Sequence, residues 1–546
     1  MSMRPQSIPD VPEETAEVAR KAFPRGNVYM QMRDVFGSIY TDDEFAHLYP
    51  RDGQSAMSPW RLALVTVMQY AENLSDRQAA DAVRDRIAWK YALSLELTDA
   101  GFDYSVLSEF RTRLLEGNAG QRLLDRMLEQ FQAHDLLKAR GQQRTDSTHV
   151  LAAVRELNRL ENVGETLRHA LNSLAVVAPD WLREQVTPDW FDRYSQRVEQ
   201  YRLPKSKQKQ AELAEIIGQD GYFLLDAIYS SETLTWLREI PAVETLRQVW
   251  VQQFWLDNEQ VRQRDVEDMP PVGAWIRSPY DTEARYCTKR TTGWLGYRVH
   301  LTETCDEKTP RIITQVTTMP ATVQDDDALE VIQADLHAKN LLPEQQFVDE
   351  GYVDADNLVK SRTRYQIDLV GPAPKDTTWQ AQHEQGLDST QFFIDWDNRQ
   401  VTCPEGHINK TWYDSTDRHG EPVSRILFDP NVCHACVLRQ QCTHGKGARG
   451  LTLRPQERHE ALQSARQREQ TDEFKETYRK RAGVEGTISE SVRDQGLRHA
   501  RYVGLDKTNL QSLATAAALN LTRALAWLNE VPLAPTRKSH FAGLAA

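Results

Sequence analysis

The sequence predicts an α/β protein with a helical N-terminal region, a helical insertion and a small cysteine-rich insertion. Three observations carry this prediction. Amphipathic helices fill the first part of the chain, strand patterns then alternate with helices, and four of the six cysteines cluster near the C-terminal third. A length of 546 residues is too great for one ordinary core and fits about two to four domains.

The composition is that of a globular chain, with 40% hydrophobic and 27% charged residues. No apolar run approaches the ~20 residues of a membrane span. The first residues lack the apolar core of a secretory signal, and six cysteines do not make a disulfide scaffold. We therefore expect a cytoplasmic, nucleoid-associated protein without a membrane partner. The net charge of −13 excludes a basic coat but allows a local basic stripe.

The N-terminal region is predicted to be a flexible arm over residues 1–30, followed by a helical domain over residues 31–138. One of its helices, in YSVLSEFRTRLLEG, displays Arg111 and Arg113 beside apolar residues. Short helices with tight connections are typical of a helix-turn-helix DNA reader. They are equally typical of a plain helical bundle that also supports dimerisation.

The α/β core is predicted from three separated ranges, which are 139–153, 271–375 and 455–530. Asp146 lies at the centre of a strand candidate, and Asp349 ends a buried strand that turns through Gly351 into a helix. Polar helices fill an insertion over residues 154–270. Residues 376–454 form the cysteine-rich insertion, and residues 531–546 form a tail.

A third carboxylate, Glu485, lies on the apolar face of a predicted C-terminal helix. That face consists of residues at steps of three and four, namely Phe474, Tyr478, Arg481, Glu485, Ile488 and Val492. Gly483 and Gly486 flank the acid and would let a strand or a phosphate backbone come close. The spacing therefore predicts that Glu485 faces inwards. Alone, it would also fit a structural salt bridge with Arg481.

Buried carboxylates that converge repel one another unless a cation lies between them. Mg²⁺ takes carboxylate oxygens as ligands, and a pair of such ions activates a water or hydroxyl for attack on phosphorus. Asp146, Asp349 and Glu485 together fit this chemistry. Each acid alone also reads as a turn, capping or paired residue. Other acids near Asp349 read as capping or solvated residues, namely Asp326, Asp354 and Asp356.

The motifs around these acids resemble the three acidic blocks of the DDE transposases of bacterial insertion sequences. TDST contains Asp146, VDEGYVDADNL resembles the Asp-x-Gly-Tyr block, and YRKRAGVEGTISESVRDQGLRHARYVGL resembles the Tyr-x2-Arg-x3-Glu block. The closing basic residue of that block would fall at Val492, and Arg493 is the nearest basic residue. SPYDTEARYCTKRTTGWLGYRVHLTETCD and the cysteine segment are similar to insertion-sequence family 1182.

The resemblance implies an RNase H-like mixed sheet and a two-metal site in which Asp146, Asp349 and Glu485 bind Mg²⁺ or Mn²⁺. It implies double-stranded DNA as the partner, both as terminal inverted repeats and as target, held by a homodimer or a larger assembly. The DNA-binding candidates are Tyr478, Arg481, Arg493, Arg498, Arg111 and Arg113. By the resemblance, Tyr478 and Arg481 would either contact DNA phosphates or brace the three acids. The range from Lys475 to Lys507 contains eight Lys or Arg residues and five Asp or Glu residues, which is a local surplus of three positive charges.

Four cysteines form a second candidate metal site with the spacing Cys-x29-Cys-x2-Cys-x5-Cys. They are Cys403, Cys433, Cys436 and Cys442. Four thiolates are the usual ligands of structural zinc, so a zinc-ribbon-like insertion is predicted. The spacing also fits an iron–sulfur cluster or reduced thiols without a metal.

The function predicted from these features is DNA transposition, with metal-dependent strand cleavage and strand transfer. Three alternatives remain open. An RNase H-like nuclease would cleave without joining, and a decayed or domesticated transposase would bind DNA without catalysis. A zinc-stapled scaffold unrelated to DNA would show no salt-dependent affinity for DNA.

Overall fold

Seven α-helices precede the first strand. The computed structural model describes residues 2–230, 234–257, 260–289 and 291–532. The seven helices are α1 (Glu13–Ala22), α2 (Val28–Phe36), α3 (Pro59–Ala71), α4 (Asp76–Asp85), α5 (Ile87–Ala92), α6 (Ser105–Glu116) and α7 (Arg122–Ala133). We predicted a flexible arm over residues 1–30, but α1 occupies part of it. Its small Ala19 packs against Met30 and Tyr91, which gives this segment an apolar contact with the bundle.

The first strand, β1 (Gln142–Leu151), leads into a helical insertion. The insertion contains α8 (Arg159–Val177), α9 (Pro179–Gln185), α10 (Pro188–Tyr194), α11 (Lys207–Ser230) and α12 (Pro241–Gln253), then the antiparallel strands β2 (Phe254–Asp257) and β3 (Gln260–Gln263). Its side chains form a hydrophobic cluster of their own around Trp250 and Phe254. The helices match the sequence prediction for this range, and the two strands are an addition to it.

Five more strands complete the main sheet, and two helices lie between them in the sequence. They are β4 (Arg285–Lys289), β5 (Thr292–Thr304), β6 (Ile313–Pro320), α13 (Asp325–Ala338), β7 (Gln345–Phe347), α14 (Ala355–Tyr365) and β8 (Asp368–Val370). β5 is antiparallel to β1, β4 and β6, whereas β7 is parallel to β1 and β8 is parallel to β7. The sheet is therefore mixed, with β1 between β5 and β7. This arrangement is consistent with the RNase H-like core that the sequence predicts.

The cysteine-rich segment forms two small sheets and three short helices. Its elements are α15 (Trp379–Gln382), β9 (Phe393–Asp395), β10 (Gln400–Thr402), β11 (Thr411–Thr416), β12 (Pro422–Leu427), α16 (Pro430–Ala435), α17 (Arg439–Cys442) and β13 (Gly450–Leu453). A small apolar cluster that includes Phe392, Val401 and Ile426 lies inside the segment. The segment thus has an apolar cluster of its own, against which Cys403, Cys433 and Cys442 pack.

Four helices close the described chain. They are α18 (Gln456–Glu469), α19 (Asp472–Tyr478), α20 (Gly483–Gln495) and α21 (Leu505–Leu528), with a 3-10 helix, Arg479–Ala482, between α19 and α20. The single continuous helix predicted around Glu485 is wrong, because the backbone tightens at this 3-10 segment. The predicted tail, 531–546, lies almost entirely outside the described residues.

α21 joins the N-terminal helices to the sheet. It packs against α3, α7 and β6, and Asn520 exchanges two hydrogen bonds with the backbone of Ile313 on β6. α3 is itself buried over eleven of its thirteen residues. One hydrophobic cluster consequently runs from α3 through α21 into the sheet. In the part of the chain that the structure covers, no helix has the length and apolarity to cross a bilayer.

Candidate active site

The sheet brings Asp146 and Asp349 side by side. Asp146 lies on β1, and Asp349 follows the end of β7. The two strands are parallel, with Arg144 opposite Phe347, so two residues further along Asp146 comes level with Asp349. Glu485 reaches the same place from α20, which packs against β1.

One arginine links the three carboxylates. Nη2 of Arg481 lies 2.7 Å from Oδ2 of Asp146 and 3.7 Å from Oδ2 of Asp349. Nη1 of the same side chain donates a hydrogen bond of 2.7 Å to Oε1 of Glu485. A single guanidinium therefore stands where three converging carboxylates require positive charge.

Exposure increases across the site from Asp146 to Glu485. The exposed fraction of the side chain is 13% at Asp146, 45% at Asp349 and 63% at Glu485. Burial raises the pKa of Asp146, and the charge of Arg481 opposes this shift. Burial alone would lower the pKa of Arg481, but the charges of Asp146 and Asp349 outweigh it and the pKa rises. The site is closed at Asp146 and open to solvent at Glu485.

The prediction that Glu485 faces inwards is wrong, although Phe474 and Ile488 are buried as expected. The 3-10 segment rotates the positions that follow it, so Glu485 lies at the rim. At Gly483, a Cβ would overlap the guanidinium of Arg144, so this glycine leaves room for a side chain of β1, and the close approach of a phosphate backbone stays a prediction. At Gly486, a Cβ would meet no described atom within 4 Å, so this side of α20 is open.

Tyr478 supports the strand that ends at Asp349. Its hydroxyl donates a 3.1 Å hydrogen bond to the carbonyl of Val348, and its ring stacks on Phe474 at 5.3 Å. Burial raises the pKa of Tyr478 to about 12, so the hydroxyl remains protonated at neutral pH. The geometry corresponds to the bracing role that the resemblance implied. Contact with DNA stays a prediction.

The arginines of α6 are not both displayed, contrary to the sequence prediction. Arg111 is buried, donates to Oδ1 of Asp76 at 3.0 Å and lies over the ring of Tyr502. It lies on the face of α6 that packs inside the bundle, so an internal ion pair replaces the expected surface position. Arg113 is partly exposed and donates to the carbonyl of Leu48.

The two basic candidates after Glu485 differ in their surroundings. Arg493 is exposed and pairs with Asp494 beside it. Arg498 donates from Nε to the hydroxyl of Thr148 at 2.9 Å, and its carbonyl accepts from the N–H of Leu151. Arg498 therefore fastens the chain after α20 to β1. DNA contact by either arginine remains a prediction.

Sequence reasoning missed a buried group of charges behind Asp146, centred on Asp325. One oxygen of Asp325 accepts hydrogen bonds of 2.9 Å from the hydroxyl of Ser147 and from Arg298. Nearby, the buried His300 forms a 2.7 Å hydrogen bond with the hydroxyl of Tyr352. The available signal was the position of Asp325 in the first turn of a helix after a strand. Asp354, read as a capping residue, does cap α14 by accepting from the N–H of Asn357.

The four cysteines of the insertion line one cavity of about 30 Å³. All are free thiols and are partly buried. Burial raises the pKa of Cys442, and the nearby thiols of Cys433, Cys436 and Cys403 add to the shift. Over the described ranges, no three His, Cys, Asp or Glu side chains are arranged so that they could hold a metal ion. Neither the four thiols nor the three acids form such a group in this structure.

Two family models match separate parts of the chain. Residues 402–525 match a model described as a transposase DDE domain, and residues 17–113 match a transposase domain (DUF772). The first match contains Glu485, Arg481 and the four cysteines, and the second runs from the middle of α1 to near the end of α6. These matches support an insertion-sequence DDE transposase. No curated protein and no solved structure gave a match.

Proposed function

We propose that the chain is a DNA transposase that binds the terminal inverted repeats of its element and then cleaves and transfers DNA strands. The observation that carries the proposal is the convergence of Asp146, Asp349 and Glu485 on Arg481. The two family matches also support it, and the range described as a transposase DDE domain contains Glu485 and Arg481.

We propose that the three acids hold Mg²⁺ or Mn²⁺. The donor set fits, because hard divalent ions take carboxylate oxygens and Arg481 already marks the place where positive charge is stable. When bound, a pair of such ions would activate a water or a 3′-hydroxyl and stabilise the leaving oxygen. In the chain without metal, Arg481 supplies the compensating charge.

The remaining residues of the site orient these groups. The Tyr478 hydroxyl holds the Val348 carbonyl and so fixes the strand end that carries Asp349. Arg481 presents a planar fork of donors, which suits bidentate contact with a phosphate once the acids are compensated by other charges. Because Glu485 is the most exposed of the three acids, DNA would approach from the open side of α20.

The proposed partner is double-stranded DNA, held along the basic segment that follows Glu485. Arg493, Arg498 and Arg113 are the candidate contacts for phosphates, whose binding depends on salt. Two element ends must be held together for transposition, so we propose a homodimer or larger assembly on DNA. The proposed location is the bacterial cytoplasm, at the nucleoid.

We also propose that Cys403, Cys433, Cys436 and Cys442 bind a structural zinc ion. Four partly buried thiols around one small cavity are a donor set that fits zinc. The four thiols do not form a metal-holding group in this structure, so coordination would require their side chains to rearrange. An iron–sulfur cluster is the second option for the same ligands.

Two other functions use the same site differently. A nuclease without strand transfer would give cut ends and no joined product. A non-catalytic transposase relative would bind the element ends and cut nothing in either Mg²⁺ or Mn²⁺.

The test is cleavage of a plasmid that carries the flanking DNA of the gene, with wild type, Glu485→Gln and the exposed control Glu476→Gln. We expect cuts at both flanks in Mg²⁺ or Mn²⁺ from wild type and the control, and at least about a 100-fold loss in Glu485→Gln. Equal cutting by all three proteins would contradict the assignment. Tight binding of the flanks without any cutting would favour the non-catalytic relative.

A further inference from the structure

A fully buried carboxylate outside the site, Glu303 on β5, connects the elements that carry the three acids. Its side chain is 0% exposed. It accepts from Nε of Arg144 at 2.7 Å, from the hydroxyl of Thr487 at 2.6 Å and from Nη1 of Arg523 at 3.0 Å. A buried carboxylate is strongly unfavourable without such partners, so the folded chain must keep them in place.

The first partner ties Glu303 to the residues beside Asp146 and Arg481. Arg144 lies directly opposite Glu303 in the sheet and two residues before Asp146 on the same face of β1. Its Nη1 donates a 2.6 Å hydrogen bond to the carbonyl of Lys480, which precedes Arg481. Gly483 leaves the space that this guanidinium fills.

The other two partners tie Glu303 to α20. Thr487 lies two residues after Glu485, and its hydroxyl bonds to Glu303. Arg523 of α21 contacts Glu303 and also donates to Glu490 of α20 at 2.6 Å. The charges of Arg144 and Arg523 therefore balance those of Glu303 and Glu490. The carboxylate of Glu303 holds α20 against the sheet.

We infer that Glu303 is a positioning residue, which sets the place of Glu485 and Arg481 relative to Asp146. This inference rests on the proposed function. Glu303 acts through Arg144, which lies two residues before Asp146, and through Thr487, which lies two residues after Glu485. Groups that orient metal ligands from outside typically change metal affinity or activity by about 10–100-fold when they are removed.

The test compares wild type, Glu303→Gln and the exposed control Glu344→Gln as full-length proteins. Cleavage of the flanking DNA is measured over a range of Mn²⁺ concentrations, together with DNA affinity and the thermal midpoint. We expect Glu303→Gln to raise the half-saturating Mn²⁺ concentration or lower the maximal rate by about tenfold or more. DNA affinity should stay within about twofold, and Glu344→Gln should behave as wild type. The inference would be overturned by a folded Glu303→Gln protein whose half-saturating Mn²⁺ concentration and maximal rate both equal those of wild type.

A second variant, Thr487→Val, removes the hydroxyl that donates to Glu303 and accepts from Arg523, and it retains the ion pairs. A smaller shift in Mn²⁺ dependence, about three- to fivefold, is expected. If Glu303→Gln does not fold, Thr487→Val decides the test. An unchanged Mn²⁺ dependence in Thr487→Val would then overturn the inference. If wild type itself cuts no DNA, the proposed function fails, and Mn²⁺ binding by calorimetry decides the inference instead. Weaker binding by the variants supports it, and equal binding overturns it.

Discussion

The three acids and the four cysteines are both predicted metal sites, yet their side chains are held together differently. The acids converge on a cation, Arg481, with ion pairs of 2.7 Å to Asp146 and Glu485. The cysteines line a small cavity that apolar side chains and Arg449 also line, and no single cation joins them by short ion pairs as Arg481 joins the acids. Carboxylates are charged at neutral pH and require compensation, whereas a buried thiol stays neutral and needs none.

This difference indicates which site depends more on charge. Burial raises the pKa of Asp146 as it raises the pKa of Cys442. Arg481 opposes this shift at Asp146 and Arg449 opposes it at Cys442, but only the acid carries a charge that its arginine must compensate at neutral pH. The acid site should therefore respond strongly to the loss of a charge, and the thiol site should respond mainly to the loss of a ligand.

The largest effect on stability is expected for Arg481→Gln, which leaves three acids facing one another. In chelator, we expect a destabilisation of about 2–4 kcal/mol, visible as a lower thermal midpoint, because a nearly buried ion pair with Asp146 is broken. Mn²⁺ should restore part of the loss, since a cation replaces the guanidinium. Arg479→Gln, at an exposed neighbour, is the control. A midpoint that neither falls in chelator nor recovers with Mn²⁺ would refute charge compensation at this site.

A second prediction concerns His300, a buried group whose pKa is shifted by burial, as is that of Cys442. Burial lowers the pKa of His300 to about 4, against the opposing charge of Asp325, and Arg298 and Lys289 lower it further. Because the unfolded pKa is near 6.5, the unfolded chain binds the proton first as pH falls. The stabilisation is present above about pH 6.5 and is lost towards pH 4, by up to about 3 kcal/mol.

The measurement is the thermal midpoint between pH 7.5 and 4.5 for wild type, His300→Asn and the exposed control His383→Asn. Wild type and the control should lose stability more steeply than His300→Asn over this range. Parallel curves for all three proteins would show that His300 is not held neutral by the fold.

The smallest effect on the whole chain is expected for Cys436→Ser, because the cysteine segment has apolar packing of its own. Wild type should carry about one zinc ion per chain by elemental analysis, and the variant less than about half of that. The thermal midpoint should fall by only about 2–4 °C. Cys287→Ser on β4 serves as the control. Iron in place of zinc would favour the cluster, and metal-free wild type would refute the site.

The sequence predicted the strands at Asp146 and before Asp349, because β-forming residues surround the first acid and an apolar run precedes the second. It also predicted that Asp146, Asp349 and Glu485 belong together. That prediction depended on the resemblance of the three surrounding motifs, since no single acid was sufficient evidence for a metal site. It could not predict the 3-10 segment at Arg479–Ala482, because side-chain periodicity does not report a local change in backbone winding.

The sequence also could not predict hydrogen-bond and ion-pair partners that are distant along the chain. The burial of Arg111 depends on Asp76 and Tyr502, and nothing in YSVLSEFRTRLLEG reveals them. Glu303 and Asp325 likewise acquire their neighbours only through the sheet and its helices. Long-range polar networks of this kind are fixed by tertiary contacts, which local patterns do not contain.

The most direct test of the central claim is Mn²⁺ binding by calorimetry to wild type, Asp146→Asn and the exposed control Asp327→Asn. If the three acids form one cation site, wild type and the control should bind about one or two ions there. Asp146→Asn should lose this binding or weaken it by at least about tenfold. Unchanged stoichiometry and affinity in Asp146→Asn would contradict the assignment of these acids to a metal-dependent active site.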